Sequence, residues 1–389
     1  MTLALYNAKV VTPLEVIEHG CVVVGDDGTL LYAGPSTGAP PLPERVISLE
    51  GRTLTPGFID IHTHGGHGIT FGQSDVLLDD LHAYAAWVAA TGVTGFLCTL
   101  AAPDPTALVD LVQSYAAWLE HETIEGAHPL GLHLEGPYLN PEQKGAFNVA
   151  WLRRPLIDEV DDLLEAGRGW VRQMTLAPEL PGAHKVAARL REAGVVAALG
   201  HSNTDYATAS EALRHSFNHV THAFNAQRGF HHREPGVLGA VLTSDDVTAE
   251  LIADTIHVHP GAMKVLLRCL GTDRVALITD AMAAAGLGDG TYELVGQEVF
   301  VREGTARLST GTIAGSTATL DLCVRNAVEA VGVSLQEAVK MASFNPARIL
   351  NLDDREGVLA PGRQANLTVL DSDFNVKMTL VQGRIVYQQ

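Results

Sequence analysis

The chain has 389 residues, 46% of them hydrophobic, and a formal charge of −19 from 45 acidic and 26 basic side chains. This charge balance disfavours nonspecific binding to nucleic acid or to anionic membranes. No apolar run reaches the ~18 residues that would span a bilayer, and the N-terminus lacks the basic and apolar regions of a signal peptide.

The two ends of the chain have similar strand-like patterns. The first 50 residues predict short strands at 3–11, 21–24 and 30–33, with a glycine- and aspartate-rich turn at 25–28. The C-terminal segment predicts strands at 365–370 and 380–387. Because each end alone is too small to bury a core, we expect residues 1–51 and 355–389 to form one small β-sandwich domain. Two separate extensions are the less favoured alternative.

Strand-like and helical patterns alternate over residues 52–354. The predicted strands lie at 57–61, 93–100, 130–135, 171–178, 195–200, 219–222, 248–254 and 274–280, and helical patterns fill gaps at 75–90, 106–120, 204–217 and 261–270. Such alternation implies parallel strands joined by right-handed crossovers. The number of strands favours a closed (β/α)₈ TIM-type barrel inserted between the two halves of the β-sandwich.

Metal-binding side chains stand at the ends of several of these apolar runs. The candidates are His62, His64, Glu135, His201 and His222, with Asp280 after the last strand. In a parallel barrel these strand ends meet on one face, where the chemistry of the fold sits. His-x-His on a strand turns both imidazoles to the same side. Histidine nitrogen and carboxylate oxygen suit zinc, iron and related divalent ions, so the pattern predicts a metal-dependent hydrolase.

Asp280 has two alternative interpretations. An aspartate at the end of a strand can cap a following helix. In a metal-dependent hydrolase it can instead accept a proton from the water that the metal activates and later pass it to the leaving amine. We favour the second, catalytic role, because Asp280 ends the last barrel strand on the face of the predicted ligands.

Longer motifs resemble the N-acetylglucosamine-6-phosphate deacetylase family of the amidohydrolase superfamily. They are residues 56–65, 133–140, 200–202, 221–226, 233–236, 253–257, 277–282 and 314–317, in order along nearly the whole chain. The resemblance implies that Glu135, His201 and His222 hold one divalent ion and that His62 and His64 add a second site. Zn²⁺ is the expected ion, with Fe²⁺ or another divalent metal as alternatives.

The same resemblance implies the substrate contacts and the partners. Asp280 would be the catalytic acid/base, and the substrate-binding residues would be Asn225, Ala226, Arg233, His257, Phe147 and Ile313. A guanidinium such as that of Arg233 matches phosphate geometry. In relatives the loop that carries it reaches into a second subunit, which implies a homodimer. The expected partner is a small phosphorylated amino sugar.

One departure leaves the choice of sugar open. Phe147 stands where relatives usually have a histidine that contacts the sugar. Deacetylation of N-acetylgalactosamine 6-phosphate, and hydrolysis of another amide such as a cyclic imide, therefore remain alternatives. Many cyclic amidohydrolases use a carboxylated lysine as the metal bridge, and no strand-end lysine is visible here. A scaffold without catalytic function is disfavoured by the complete set of ligands.

Cysteine usage bears on the compartment. Four cysteines lie far apart without a CxxC pair: Cys21, Cys98, Cys269 and Cys323. Their spacing predicts reduced thiols rather than disulfides or metal ligands. Without a signal peptide or a membrane span, the expected location is the cytoplasm.

Overall fold

The N-terminal strands belong to a sheet that both ends of the chain share. The computed structural model describes residues 2–73 and 75–389, so Met1 of the predicted first domain lies outside it. The first strands are β1 (Leu3–Val11), β2 (Val16–Val24), β3 (Leu30–Pro35), β4 (Arg45–Ser48) and β5 (Thr53–Pro56). β1 pairs antiparallel with β2 and parallel with β4 and β5. β5 lies beyond residue 51, the predicted end of the first domain. Its backbone pairs with β1 and not with a barrel strand, so it belongs to the shared sheet.

A barrel of parallel strands follows. Its strands, together with a short hairpin of β7 and β8, are β6 (Phe58–Thr63), β7 (Gly65–Gly66), β8 (Ile69–Thr70), β9 (Val93–Leu100), β10 (His128–Glu135), β11 (Val171–Leu176), β12 (Val196–Leu199), β13 (His219–Val220), β14 (Thr248–Ile252) and β15 (Val275–Ile278). The eight barrel strands are hydrogen-bonded in the order β6, β9, β10, β11, β12, β13, β14 and β15. Each neighbouring pair is parallel, which confirms the predicted (β/α)₈ architecture.

Helices connect successive barrel strands and cover the outside. They are α1 (Leu77–Val88), α2 (Pro105–His121), α3 (Ile157–Gly167), α4 (Ala183–Glu192), α5 (Tyr206–His215), α6 (Gly236–Leu242) and α7 (Pro260–Leu270). Asp104 and Asp205 cap α2 and α5 by accepting backbone N–H bonds from Ala107 and Thr208. The helical patterns predicted from the sequence are confirmed, and the main hydrophobic core lies between these helices and the strands.

The barrel closes where β6 meets the chain after β15. The backbone N–H of Asp280 donates to the carbonyl of His62 at 2.8 Å, and the N–H of His64 donates to the carbonyl of Ala281 at 2.8 Å. Lower on the same seam, the hydroxyl of Thr279 donates to the buried carboxylate of Asp60 at 2.6 Å. The first and last barrel strands are thus joined at residues that carry predicted ligands.

An antiparallel sheet that the sequence analysis did not predict follows β15. It consists of β16 (Gly290–Leu294), β17 (Gln297–Arg302) and β18 (Thr305–Leu308). Its apolar side chains pack against the segment that contains Phe147. The chain then returns to the barrel through α8 (Leu320–Asn326), a π-helical turn at Ala327–Val331, α9 (Leu335–Ala342) and α10 (Phe344–Ile349).

The C-terminal strands complete the shared sheet. They are β19 (Leu367–Leu370), β20 (Val376–Val381) and β21 (Arg384–Gln388), and β19 pairs with β5. The single strand predicted at 380–387 is wrong, because Gln382 and Gly383 adopt positive φ angles and form a tight turn between β20 and β21. Residues from both ends share one core, as expected for a domain built from both termini. No described helix is long and apolar enough to cross a membrane.

Candidate metal centre and substrate cavity

Two predicted metal ligands and the predicted catalytic aspartate have unusual backbone conformations. His201, His222 and Asp280 follow barrel strands closely and have φ angles of 49°, 27° and 50°. Residues other than glycine rarely adopt this left-handed backbone conformation, and each instance costs on the order of 1–3 kcal/mol. Such outliers often cluster at functional sites, and here the sharp turns accompany three side chains that meet at the mouth of the barrel.

Glu135, His201 and His222 form the first group of possible ligands. Oε1 of Glu135 lies 3.0 Å from Nε2 of His201 and 3.0 Å from Nε2 of His222. The two imidazole nitrogens are 3.1 Å apart. Nδ1 of His201 lies 2.8 Å from the carbonyl of Gln143, to which it donates its N–H. Nε2 of the same ring is thereby left free to bind an ion.

His62, His64 and Asp280 form the second group. Oδ1 of Asp280 lies 3.5 Å from Nε2 of His62 and 3.3 Å from Nε2 of His64. Glu135 stands between the two groups, because its Oε2 is 3.0 Å from Nε2 of His64. The structure therefore brings together every metal ligand predicted from the sequence, and all of them are buried.

The electrostatics of this cluster favour a bound positive charge. Burial acts to lower the pKa of His62, but the negative charges of Glu135, Glu250 and Asp280 outweigh it and hold that pKa well above its ordinary value. Burial likewise lowers the pKa of His64, yet hydrogen bonds to Asp280 and Glu135 raise it to about 9. Burial would raise the pKa of Asp280, but the neighbouring charge of His62 and the bond to His64 keep it low. Buried carboxylates in this number need cations beside them.

The donor set fits a divalent ion such as zinc. Ligand atoms bound to one tetrahedral zinc ion lie about 3.3 Å apart, close to the separations within each group. Among the described residues, Nε2 of His62 is a buried atom without a hydrogen-bond partner, and it points toward both carboxylates. Imidazole nitrogen together with carboxylate oxygen is the usual set for zinc or iron. The residues could thus hold one ion in each group.

A second layer of polar residues lies beneath the ligands, and the sequence analysis missed it. The fully buried carboxylate of Glu250 contacts Nδ1 of His62 at 2.9 Å and accepts the backbone N–H of His222 at 3.0 Å. Gln173 and His219 face its other oxygen. The available signal in the sequence was a charged residue in the middle of a mostly apolar strand, β14.

A cavity of about 580 Å³ opens above the two groups, a volume suited to a small ligand. His64, Glu135, His201, His222 and Asp280 form its polar floor, and the predicted substrate residues Phe147, Asn225, Ala226, His257 and Ile313 line it. Lys144, which the sequence analysis did not single out, also lines it and donates to the carbonyl of Phe147 at 2.9 Å. Phe147 is 4% exposed and packs edge-on against His201 with ring centroids 5.5 Å apart.

His257 is fixed in this cavity by a residue that we did not predict to act on it. Oδ2 of Asp254 lies 2.6 Å from Nδ1 of His257, and Oδ1 accepts the backbone N–H groups of Ile256 and His257. An aspartate at Nδ1 leaves Nε2 of the imidazole available for a ligand.

Arg233 is the one predicted substrate residue that the fold does not bring to the cavity. Its side chain is exposed, it is absent from the cavity lining, and its Nη1 lies 2.8 Å from Nε2 of His232. In the described part of this single chain, Arg233 is therefore a surface residue.

The fold and the site together define a class of enzyme. A closed (β/α)₈ barrel with histidine and carboxylate ligands at its strand ends is the architecture of a metal-dependent hydrolase. Residues 53–386 match the sequence profile of the amidohydrolase family. The chain belongs to the amidohydrolase family, and it is an enzyme that hydrolyses amide bonds.

Characterised relatives narrow the comparison. The chain is 34% identical to an N-acetylglucosamine-6-phosphate deacetylase from Bacillus subtilis, over 99% of this chain and 97% of the relative. It is 38% identical to an N-acetylgalactosamine-6-phosphate deacetylase from Escherichia coli, over 92% of this chain and 95% of the relative. A variant of the N-acetyl-D-glucosamine-6-phosphate deacetylase from Mycobacterium smegmatis, solved with N-acetyl-D-glucosamine-6-phosphate, matches with a TM-score of 0.92 and 36% identity over 100% of both chains.

Proposed function

We propose that this enzyme removes the acetyl group from N-acetyl-D-glucosamine 6-phosphate, giving D-glucosamine 6-phosphate and acetate. The observation that carries the proposal is the cavity, in which members of both groups of possible ion ligands face one space of about 580 Å³: His64, Glu135, His201, His222 and Asp280. The similarity to deacetylases of hexosamine 6-phosphates supplies the substrate class. The four cysteines are free, which agrees with a cytoplasmic enzyme.

Glu135, His201 and His222 would hold the principal divalent ion, with Zn²⁺ as the expected metal. His62 and His64 would hold a second one, and Glu135 lies between the two groups. A divalent cation in such a site polarises an amide carbonyl and lowers the pKa of water toward ~7. The chain orients these ligands through the hydrogen bonds that Nδ1 of His201 donates to the carbonyl of Gln143 and that Nδ1 of His62 donates to the carboxylate of Glu250.

Asp280 would carry the proton during hydrolysis. Its pKa is held low, so its carboxylate is ionised at neutral pH and can accept a proton from the attacking water. After the water oxygen bonds to the carbonyl carbon, the same proton passes to the amide nitrogen and the carbon–nitrogen bond breaks. His257, oriented by Asp254, would hold the sugar or the reacting carbonyl.

The phosphate would bind at the outer part of the cavity. Ala226 would offer a backbone N–H donor, whereas the backbone N–H of Asn225 already donates to the carbonyl of His222 at 2.9 Å. Asn225 would therefore line this part of the cavity, with Phe147 and Ile313 against the sugar. Because Arg233 is exposed and absent from the lining of its own cavity, we infer that it serves the cavity of a second subunit in a homodimer. A guanidinium matches two phosphate oxygens at once, which suits it to this role.

N-acetylgalactosamine 6-phosphate is the second candidate substrate. Two observations favour it: the deacetylase of that sugar is 38% identical to this chain, and the buried Phe147 replaces the usual histidine. The two sugars differ only in the orientation of the 4-hydroxyl group. A phenyl ring cannot hydrogen-bond a sugar hydroxyl as an imidazole could, so Phe147 leaves the enzyme with one polar contact fewer for telling the sugars apart.

An acetate-release assay tests the proposal. Metal-free protein reconstituted with Zn²⁺ or Fe²⁺ would be given N-acetylglucosamine 6-phosphate, N-acetylgalactosamine 6-phosphate and unphosphorylated N-acetylglucosamine. We expect metal-dependent acetate release, fastest with the glucosamine 6-phosphate. A higher kcat/KM for the galactosamine sugar would select the second candidate. Absence of acetate from every sugar in metal-loaded protein would contradict both candidates.

A further inference from the structure

A single buried carboxylate connects the two groups of ligands from below. Glu250, on β14, is 0% exposed inside the barrel. Its Oε2 lies 2.9 Å from Nδ1 of His62 and 3.0 Å from the backbone N–H of His222. Its Oε1 lies 2.6 Å from Nε2 of Gln173 and 3.2 Å from Nε2 of His219. Each oxygen therefore faces two nitrogen atoms. Those nitrogens belong to β6, to β11, and to β13 with the residues that follow it.

The contact with His62 fixes where that imidazole carries its proton. A carboxylate can only accept, so Nδ1 of His62 carries the hydrogen. With Nδ1 so occupied, Nε2 is the nitrogen that can bind an ion once it has lost its own proton, and it points at Glu135 and Asp280 at 3.4 and 3.5 Å. A carboxylate behind a histidine in this way orients the ring and makes it a better metal ligand.

The contact with His222 acts on the other group. The same Oε2 holds the backbone N–H of His222, whose φ angle of 27° is among the outliers of the chain. A strained backbone persists when its surroundings hold it, and this hydrogen bond is one such restraint. The imidazole of His222 belongs to the other group of ligands, and its Nε2 lies 3.0 Å from Oε1 of Glu135.

We propose that Glu250 is a positioning residue that couples the two ion sites, by setting the tautomer of His62 and restraining the backbone of His222. The inference rests on the proposed metal dependence of the enzyme and names a residue that acts on both ions without binding either. Its loss should weaken the site of His62 and His64 most, because there Glu250 contacts the ligand ring itself.

Two substitutions separate the charge of Glu250 from its hydrogen bonds. Glu250→Gln keeps the shape and leaves one oxygen to accept from His62 and His222. Gln173 can rotate its amide to match, because its Oε1 lacks a partner among the described residues. Glu250→Met removes every acceptor. Gln173→Met is the matched control, because it removes a neighbour of Glu250 and contacts no ion ligand in the hydrogen bonds of the site.

The measurement is metal binding by metal-free protein, without sugar. Titration with Zn²⁺ by calorimetry and with Co²⁺ by absorption gives the number of ions and the affinity of each site. We expect two ions in the wild type, a loss of about tenfold in affinity at the weaker site in Glu250→Gln, and about a hundredfold or complete loss there in Glu250→Met. Gln173→Met should retain both affinities within about threefold while lowering thermal stability.

A double-variant experiment tests the second link. With His62→Ala as background, only the group of Glu135, His201 and His222 remains to hold an ion. Adding Glu250→Met should weaken the binding of this ion further, by several-fold, because the backbone of His222 loses its restraint and a buried negative charge is removed. No further change in that background would overturn the coupling between the sites.

The outcomes distinguish this inference from the proposed function. If Glu250→Gln and Glu250→Met are folded by circular dichroism and bind both ions as the wild type does, the inference is wrong while the deacetylase proposal is untouched. If Glu250→Met does not fold, the Glu250→Gln titration decides. If the wild type releases no acetate but the Glu250 variants lose an ion, the proposed deacetylase function is wrong and the inference stands.

Discussion

Two buried carboxylates, Glu250 in the barrel and Glu356 at its junction with the terminal sheet, differ in how the protein treats their charge. Burial acts to raise the pKa of both. At Glu250, the charge of His62 and the hydrogen bonds from His219 and His62 reverse this effect and hold the pKa well below its ordinary value. At Glu356 the side-chain hydrogen bond from Asn366, at 2.7 Å, does not offset burial, and the pKa stays raised.

The difference is that between a charge beside the proposed ion ligands and a charge remote from them. A carboxylate surrounded by several N–H groups is kept ionised inside the protein, where it can orient ligands and attract a cation. Glu356 instead helps to join two parts of the fold through Asn366. The side chain of Asn366 accepts the backbone N–H of Gln382, and its backbone carbonyl accepts the N–H of Gly57. Burial alone therefore does not identify a site. The number of donors around a buried carboxylate is the better guide.

Removing the central anion of the metal face should have the largest effect. Glu135→Ala takes away the carboxylate that lies within 3.4 Å of nitrogens of His62, His64, His201 and His222. We expect loss of the principal ion and activity at background, since His201 and His222 would lose the carboxylate that both of them contact. His62→Ala should be milder. Elemental analysis checks this, and an unchanged metal content in Glu135→Ala would contradict the ligand assignment.

Asp280 tests whether a charge on the same face acts in the chemistry. Asp280→Asn preserves the shape but cannot accept a proton, so kcat should fall by a factor on the order of 10²–10⁴. The metal content of the Glu135 group should remain near that of the wild type. Steady-state kinetics on metal-loaded protein gives the answer, and near-full activity would remove Asp280 from the mechanism.

Arg233 extends the comparison to a charge on the surface. A charge-assisted contact with phosphate contributes about 1.5–3 kcal/mol, so Arg233→Ala should lower kcat/KM for the 6-phosphate roughly ten- to a hundredfold. Hydrolysis of the unphosphorylated sugar should hardly change. Arg228→Ala is the matched control, because Arg228 lies on the same loop but pairs with Glu234 at 2.7 Å. Equal losses on both sugars would mean that Arg233 supports the loop.

Glu356→Gln should have the smallest effect and the opposite sign. A raised pKa in the folded state means that the protonated form favours folding, so this stability is present at acid pH and is lost as the pH rises through the folded pKa. Glutamine removes the buried charge and can still bond to Asn366. We expect Tm to rise by roughly 1–2 °C at pH 8 and to match the wild type near pH 4. A lower Tm at pH 8 would show that the charge of Glu356 is stabilising.

The sequence predicted best what depends on strand ends. His62, His64, Glu135, His201, His222 and Asp280 follow apolar runs, and a parallel barrel necessarily gathers such positions. Glu250 was missed because it lies within a strand, where only the assembled interior shows which nitrogens surround it. The position of Arg233 also could not be read from the sequence, since the course of a surface loop is not fixed by periodicity.

Alternation of apolar residues was a second, weaker guide. The sheet of β16, β17 and β18 carries such alternation, with turns at Val295-Gly296 and Glu303-Gly304. It falls within residues 52–354, which we assigned to the barrel without predicting strands after residue 280. The turn at Gln382-Gly383 was hidden in an apolar run, because glycine within a strand does not by itself distinguish a turn from a bulge.

The seam between β6 and the chain after β15 has a consequence for the order in which the molecule assembles. The backbone bonds that close the ring join His62 to Asp280 and His64 to Ala281, so one ion-binding group is complete only when the two ends of the barrel have met. A cation held there would act as a clasp, cross-linking positions far apart in the chain and so opposing the entropy gained when the ring opens. Amide hydrogen exchange in β6 and β15 would then be slowed by metal, and an incomplete ring, as on a nascent chain, would lack this group.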